Sequence, residues 1–140
     1  MSDFNDKVIE EFRLNNGRVV SAGFGTSLVL IHSTGARTGE PRVNPAMSIV
    51  DDGGWLVIAS AAGAPKNPGW YFNLTQHPDA TIETASGVVE VRATELDGAD
   101  YLAAWSQFTA RSRSFQLYQD RAGDRRLPIF RLEPRHTTRE

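Results

Sequence analysis

Apolar side chains recur at Phe4, Val8, Ile9 and Phe12, a helical spacing that predicts an amphipathic helix of about three turns, stopped at Asn15-Asn16-Gly17. A glycine-rich link through Gly23 and Gly25 leads to "SLVLIHS", a short apolar run between turn formers that reads as a buried strand. "STGARTGEPR" then turns the chain. Strands are predicted over Val43 to Val50 and Trp55 to Ser60, joined by the hairpin signal Asp51-Asp52-Gly53-Gly54. Pro68 to Gln76 has the composition of a short helix closed by His77-Pro78. "ATIETA", Ser86-Gly87 and "VVEVRATEL" give strand, turn and a clearly alternating strand. From Asp97 to Tyr118 the spacing of Tyr101, Leu102, Trp105, Phe108, Phe115 and Tyr118 predicts helix with a break near Ser112. A last strand covers Leu127 to Leu132. Five or six short strands with interspersed helices and no strand-helix-strand rhythm predict an α+β, mainly β fold, a small antiparallel barrel with flanking helices.

The chain of 140 residues, 40% hydrophobic, can bury one sizeable core, so a single domain is expected over residues 4–134, with flexible tails at 1–3 and 135–140. A net charge of -2 gives no global attraction for nucleic acid, and any bound anion must be held locally. Without cysteine, the chain has no disulfide framework and no thiolate catalysis. The acidic N-terminus lacks the pattern of a secretory signal, and no apolar run approaches the roughly 20 residues that cross a bilayer. A cytoplasmic protein with no stable membrane insertion is expected.

Two stretches carry candidate chemistry. In Thr34-Gly35-Ala36-Arg37-Thr38-Gly39-Glu40-Pro41-Arg42, two glycines permit a tight turn with exposed N–H groups, and Arg37 and Arg42 flank it. The segment could cradle phosphate or carboxylate, or be a solvated hairpin loop. "ASAAGAPKNPGWYFNL" is poor in bulky residues, which suits a flat ring approaching the main chain beside Trp70, with Lys66 adding a charge. Alternatively its prolines stiffen a connection and Trp70 is core. Trp105 and Phe108 have ordinary core spacing, whereas Phe115 and Tyr118 follow the polar break and could line a pocket mouth. His32, His77 and His136 lack metal-ligand spacing, and no metal is expected.

"NDKVIEEFRLNNGRV", "LVLIHSTGARTGEPRVNP", "WLVIASAAGAPKNPGWYFNL" and "LPIFRLEP", in this order and spacing, resemble the deazaflavin-dependent nitroreductase family of actinobacterial flavin/deazaflavin oxidoreductases, from about Phe4 to Pro134. The resemblance implies a split β-barrel binding coenzyme F420, a deazaflavin with a phosphate and a glutamate tail. By motif, Ala36, Arg37, Thr38, Arg42, Val43, Asn44, Pro45, Ala46 and Met47 would face the cofactor, as would Ala59, Ser60, Ala61, Ala62, Trp70, Tyr71 and Asn73. Two cations common in relatives, one in the turn and one at position 61, are missing, and Lys66 could compensate. Nitro-reducing relatives carry a tyrosine where this chain has Phe115, so one phenol is absent.

The implied activity is hydride transfer from reduced F420 to an activated double bond of an α,β-unsaturated carbonyl, coumarin, lactone or quinone, with Tyr118 or Ser60 polarising the acceptor and nitro reduction secondary. The rivals are an FMN-binding or haem-product-binding split barrel and a non-catalytic F420 carrier. The N-terminal helix, acidic on its polar face, is expected to act as a lid, and a homodimer is the expected assembly.

Overall fold

The computed structural model describes residues 3–19 and 28–135; the link at Gly23 and Gly25 and the histidine at 136 lie outside them. Helix α1 (Asp3–Leu14) precedes strands β1 (Leu28–Thr34), β2 (Pro41–Asp51) and β3 (Gly54–Ile58). A 3₁₀ turn (Ala61–Gly63), α2 (Gly69–Gln76), β4 (Asp79–Thr84) and β5 (Gly87–Glu95) follow. Helices α3 (Gly98–Arg111) and α4 (Ser114–Ala122) then lead into β6 (Ile129–Pro134).

The strands close into an antiparallel barrel in the order β1-β2-β3-β6-β5-β4. Strand β2 changes partner along its length: Pro41 to Met47 pair with β1, and Ser48 to Asp51 pair with β3. Its first half therefore has no β3 neighbour, a free edge that tolerates a second proline, Pro45, opposite Leu30. The β2–β3 turn places Asp52 at φ 50° and Gly53 at φ 80°, the paired positive-φ geometry of a tight hairpin. Next to it Gly54 lies so close to β6 that a Cβ would sit 2.6 Å from the Leu132 carbonyl oxygen.

Alternation sorts the side chains into an inner and an outer core. Val29, Ile31, Val57, Ile82, Val91, Phe130 and Leu132 fill the barrel, with Trp70 and Leu74 of α2 closing one end. Ile49, Leu56, Ile58 and Ile129 point outward and are covered by Tyr101 and Phe108 of α3 and Phe115 of α4. Leu28 and Leu30 point outward under Val8 and Phe12 of α1. Strand β1 is thus buried on both faces, which is why it reads as a continuous apolar run while β5 alternates. The expected helix break falls where Ser112 is extended at φ −155° and its hydroxyl accepts the Ser114 N–H at 3.2 Å.

Three expectations need correction. Helix α1 flanks the outer face of β1 and β2 rather than forming a lid, because its apolar side chains meet Leu28 and Leu30. Asp3 already belongs to α1, and Arg135 is tied to β5 by its N–H to Glu90 O at 2.8 Å and its Nε to Val91 O at 3.0 Å. Neither is part of a tail. The last strand starts at Ile129 rather than Leu127, whose buried side chain instead packs with α3 and α4. Among the described residues no helix is long and apolar enough to cross a membrane.

Candidate functional site

The β1–β2 connection is a closed turn. Gly35 N–H donates to Glu40 O at 2.8 Å, Gly39 N–H to Gly35 O at 2.9 Å, and Thr38 Oγ1 accepts Glu40 N–H at 3.2 Å. Asn73, 8% exposed on α2, reaches across to it. Its Oδ1 accepts the Ala36 N–H at 2.9 Å, and its Nδ2 donates to Ser33 Oγ at 3.1 Å, so both ends of the amide are used to fix the turn against the helix. The peptide segments that α2 and this turn bring face to face form an open cleft of about 1100 Å3.

One wall of the cleft is Gly35, Ala36, Arg37 and Thr38 with Arg42 and Asn44; the other is Gly69, Trp70, Phe72, Asn73 and Gln76. Trp70 serves both core and cleft: it is 6% exposed, packs against Phe130 with centroids 6.1 Å apart, and still lines the opening. Phe72 is 48% exposed and stands edge-on to Tyr71 with centroids 5.1 Å apart. Arg42 has a long contact of 3.4 Å to Glu40, and among the described residues no carboxylate pairs with Arg37. The cleft is therefore cationic at its rim and aromatic on its helical wall, a combination that suits an anionic chain joined to a flat ring.

The remaining candidates lie elsewhere. Within β2 the two faces separate: Arg42 and Asn44 line the cleft and Ala46 faces the barrel interior, while Val43 and Met47 pack toward α1. Pro45 is half-buried. Tyr71 turns its hydroxyl to Glu95 Oε1 at 3.2 Å, and burial, reinforced by that carboxylate, holds its phenol above the ordinary value. Ala59 is in the barrel core, and Ser60, Ala61 and Ala62 form or flank the 3₁₀ turn, which packs against α4. Gly63 ends that turn at φ 81°, and a Cβ there would meet Tyr118 O at 2.7 Å. Lys66 is exposed in the following loop. Phe115 is 4% exposed and edge-on to Phe108 at 5.3 Å, a core residue rather than a pocket-mouth one. Tyr118 is half-buried, next to Phe115 at 6.1 Å and with the Arg121 guanidinium 5.9 Å from its ring.

Sequence reading missed Gly69, Phe72 and Gln76, although with Asn73 they recur at the spacing of one helical face, so the signal was present. It also missed Arg125, which no local pattern marks. The Arg125 guanidinium donates to Ala64 O at 2.9 Å, Ala59 O at 3.1 Å and Ser60 O at 2.7 Å, and also to Asn67 Oδ1.

Comparison with known proteins gives this arrangement a context. The chain is 33% identical over 129 residues to an F420H(2)-dependent quinone reductase of Mycobacterium tuberculosis, covering 89% of this chain and 85% of the relative. It superposes on a solved F420-H2 dependent reductase with a TM-score of 0.69 and 31% identity, covering 76% of this chain and 94% of the other. A further structure, described as a domain-swapped dimer, matches with a TM-score of 0.71 and 29% identity over 91% of this chain and 98% of the other. The family model for F420H(2)-dependent quinone reductase matches residues 6–134, nearly the whole barrel and its helices. The chain belongs to the F420H(2)-dependent quinone reductase family, whose members are F420-dependent oxidoreductases.

Proposed function

We propose that this protein reduces quinones, and with them other activated double bonds such as those of coumarins and unsaturated lactones, using reduced F420 held in the cleft between the β1–β2 turn and α2. The observation that carries the reading is the placement at the rim of Arg37, which has no carboxylate partner among the described residues, and a weakly paired Arg42, with Trp70 and Phe72 on the facing wall. These residues fit a cofactor with an anionic chain and a planar ring. When bound, the reduced deazaflavin supplies hydride from its ring C5.

The protein's own contribution is binding, orientation and exclusion of water. Arg37 and Arg42 offer charge-assisted hydrogen bonds to the anionic chain, and the Ala36 turn is held by Asn73 so that it need not reorganise on binding. Trp70 and Phe72 present apolar surface to the ring and shed water from it. Ser60 and Tyr118, on the 3₁₀ turn and on the helix packed against it, are the hydroxyls proposed to polarise the acceptor oxygen. Nitro compounds are secondary acceptors on this reading. The domain-swapped dimer formed by a relative supports assembly of this chain with a second copy.

Titration with oxidised F420 and, in parallel, FMN tests the reading, because Trp70 lines the cleft and its emission should be quenched on filling. Saturable F420 binding, followed by oxidation of F420H2 by a soluble quinone, is the expected result. Binding of FMN alone would overturn the cofactor assignment, and F420 binding without turnover across a quinone, enone and nitro panel would point to a carrier.

A further inference from the structure

Helix α1 spans three strands of the barrel wall. Its Val8 and Phe12, 2% and 3% exposed, cover Leu28 and Leu30 of β1, and Val43 and Met47 of β2 pack against the same cluster. At the other edge Arg13 Nη2 meets Glu83 Oε2 of β4 at 2.7 Å, and His32 Nε2 of β1 bonds the same carboxylate oxygen. Glu83 stands opposite Leu30 in the β1–β4 register, so the ion pair borders the apolar contact. The helix is thereby pinned across β2, β1 and β4.

The part of β2 that it covers has little other support. From Pro41 to Met47, among the described residues, β2 pairs with β1 alone, and Pro41 and Pro45 bring no N–H donor to that stretch. Successive side chains of a strand leave on opposite faces. Arg42 and Asn44 line the cleft, and Val43 between them lies against α1. Any outward shift of Val43 therefore carries its two bonded neighbours away from the facing wall. With the ladder on one edge only, the packing of α1 fixes this strand in the direction that widens or narrows the cleft. The support is also all-or-none in character: α1 has twelve residues, too few for a stable isolated helix in water, so helix and docking are lost together.

We propose that α1 is a clamp on the back of the cleft: docked, it holds the free half of β2 where Arg42 and Asn44 meet the bound anion, which on the reading above is the side chain of F420. Phe12 and the Arg13–Glu83 pair are positioning residues, acting through Val43 and Met47 without touching the cofactor. Because coupling between two sites is reciprocal, bound F420 in turn holds α1 down.

The test combines amide hydrogen exchange, with and without oxidised F420, and F420 affinity in Phe12→Ala, Glu83→Gln and the control Tyr101→Phe. In wild type, saturating F420 should slow exchange of the α1 amides from Val8 to Phe12 severalfold. Phe12→Ala should raise the F420 dissociation constant at least about fivefold, as the competent state loses population. At saturating F420H2 its KM for a soluble quinone should change less than about twofold. Tyr101→Phe deletes the hydroxyl that donates to Leu127 O at 2.7 Å under α3, which lowers stability away from the free half of β2. Its F420 affinity should stay within about twofold of wild type, and an equal loss in this control would mean general loosening and overturn the inference. Exchange in α1 that is indifferent to F420, or Phe12→Ala binding F420 like wild type, would also overturn it. Should Phe12→Ala fail to fold, Glu83→Gln keeps the apolar contact and removes the charge that holds Arg13. Without cofactor, exchange of the α1 amides and of the β2 amides from Arg42 to Met47 should then quicken together, and unchanged β2 exchange would overturn the clamp. If wild type itself binds no F420, the cofactor reading falls, while the exchange of β2 in Glu83→Gln still reports whether α1 holds the strand.

Discussion

At the scale of single residues, Asn73 shows how a side chain can serve a site without facing its ligand. Motif matching assigns it to the cofactor, yet both ends of its amide are already engaged, by the Ala36 N–H and the Ser33 hydroxyl. Asn73→Ala leaves a buried donor and acceptor without partners and should cost about 1–3 kcal/mol in chemical denaturation. The same variant should also weaken F420, because the turn that carries Ala36 and Arg37 is released. Asn73→Asp makes a sharper test: it can still accept from Ala36 but places a carboxylate on the wall of an anion-binding cleft. Its F420 affinity should therefore fall further than its stability. If Asn73→Asp bound F420 like wild type, the cleft would not be the anion site. Phe115 invites the opposite correction. From sequence it marks a missing phenol beside Tyr118, but its ring is packed on Phe108 inside the outer core. A hydroxyl added by Phe115→Tyr would enter that packing and should lower stability by about 1–3 kcal/mol without raising nitro-substrate turnover. A marked gain in nitro reduction would show that α4 swings its ring outward during catalysis.

At the scale of elements, the strands and helices were legible because their residues meet only local demands. The Asp52-Gly53 turn, the alternation of β5 and the Ser112 break each follow from backbone geometry that the residues themselves prefer. The role of α1 was not legible, since amphipathicity says that one face is covered and not by what. Its anchor joins residues 70 positions apart: Arg13 Nη2 meets Glu83 Oε2 at 2.7 Å, and His32 Nε2 bonds the same oxygen. The hydrogen bond from Arg13, aided by that from His32 and opposed by desolvation, holds the Glu83 carboxyl below its ordinary value of 4.5. A depressed carboxyl pKa contributes stability that is present above the ordinary value and lost as pH falls through the lower, folded one. The melting temperature of wild type should accordingly exceed that of Glu83→Gln at about pH 5.5, with the gap closing toward about pH 3. A gap that stayed constant across this range would mean that Glu83 stabilises the molecule by packing rather than by its charge.

For the molecule as a whole, the small-residue stretch from Ala59 to Leu74 divides into two different jobs. Trp70 and Asn73 at its end build the cleft, whereas Ala59, Ser60 and Ala61 at its start form a turn shaped from behind by Arg125. Motif order put these residues in one group, but only the closed barrel decides which of them share a wall. Charge follows the same logic. A net charge of -2 predicts no attraction for an anionic cofactor, so affinity has to come from Arg37 and Arg42 concentrated at one rim. Exposed charges act over a screening length of about 8 Å at physiological ionic strength, which shortens to about 3 Å at 1 M salt. F420 binding should therefore weaken severalfold between low and high salt, while the KM for an uncharged quinone stays nearly constant. Arg37→Ala should weaken F420 more than Arg42→Ala, because Arg42 already shares its charge with Glu40 and Arg37 has no such partner among the described residues. It should also flatten the salt dependence, since the charge that salt screens has been removed. A salt-independent dissociation constant in wild type, or a steeper salt dependence in Arg37→Ala, would place the anionic chain away from this rim.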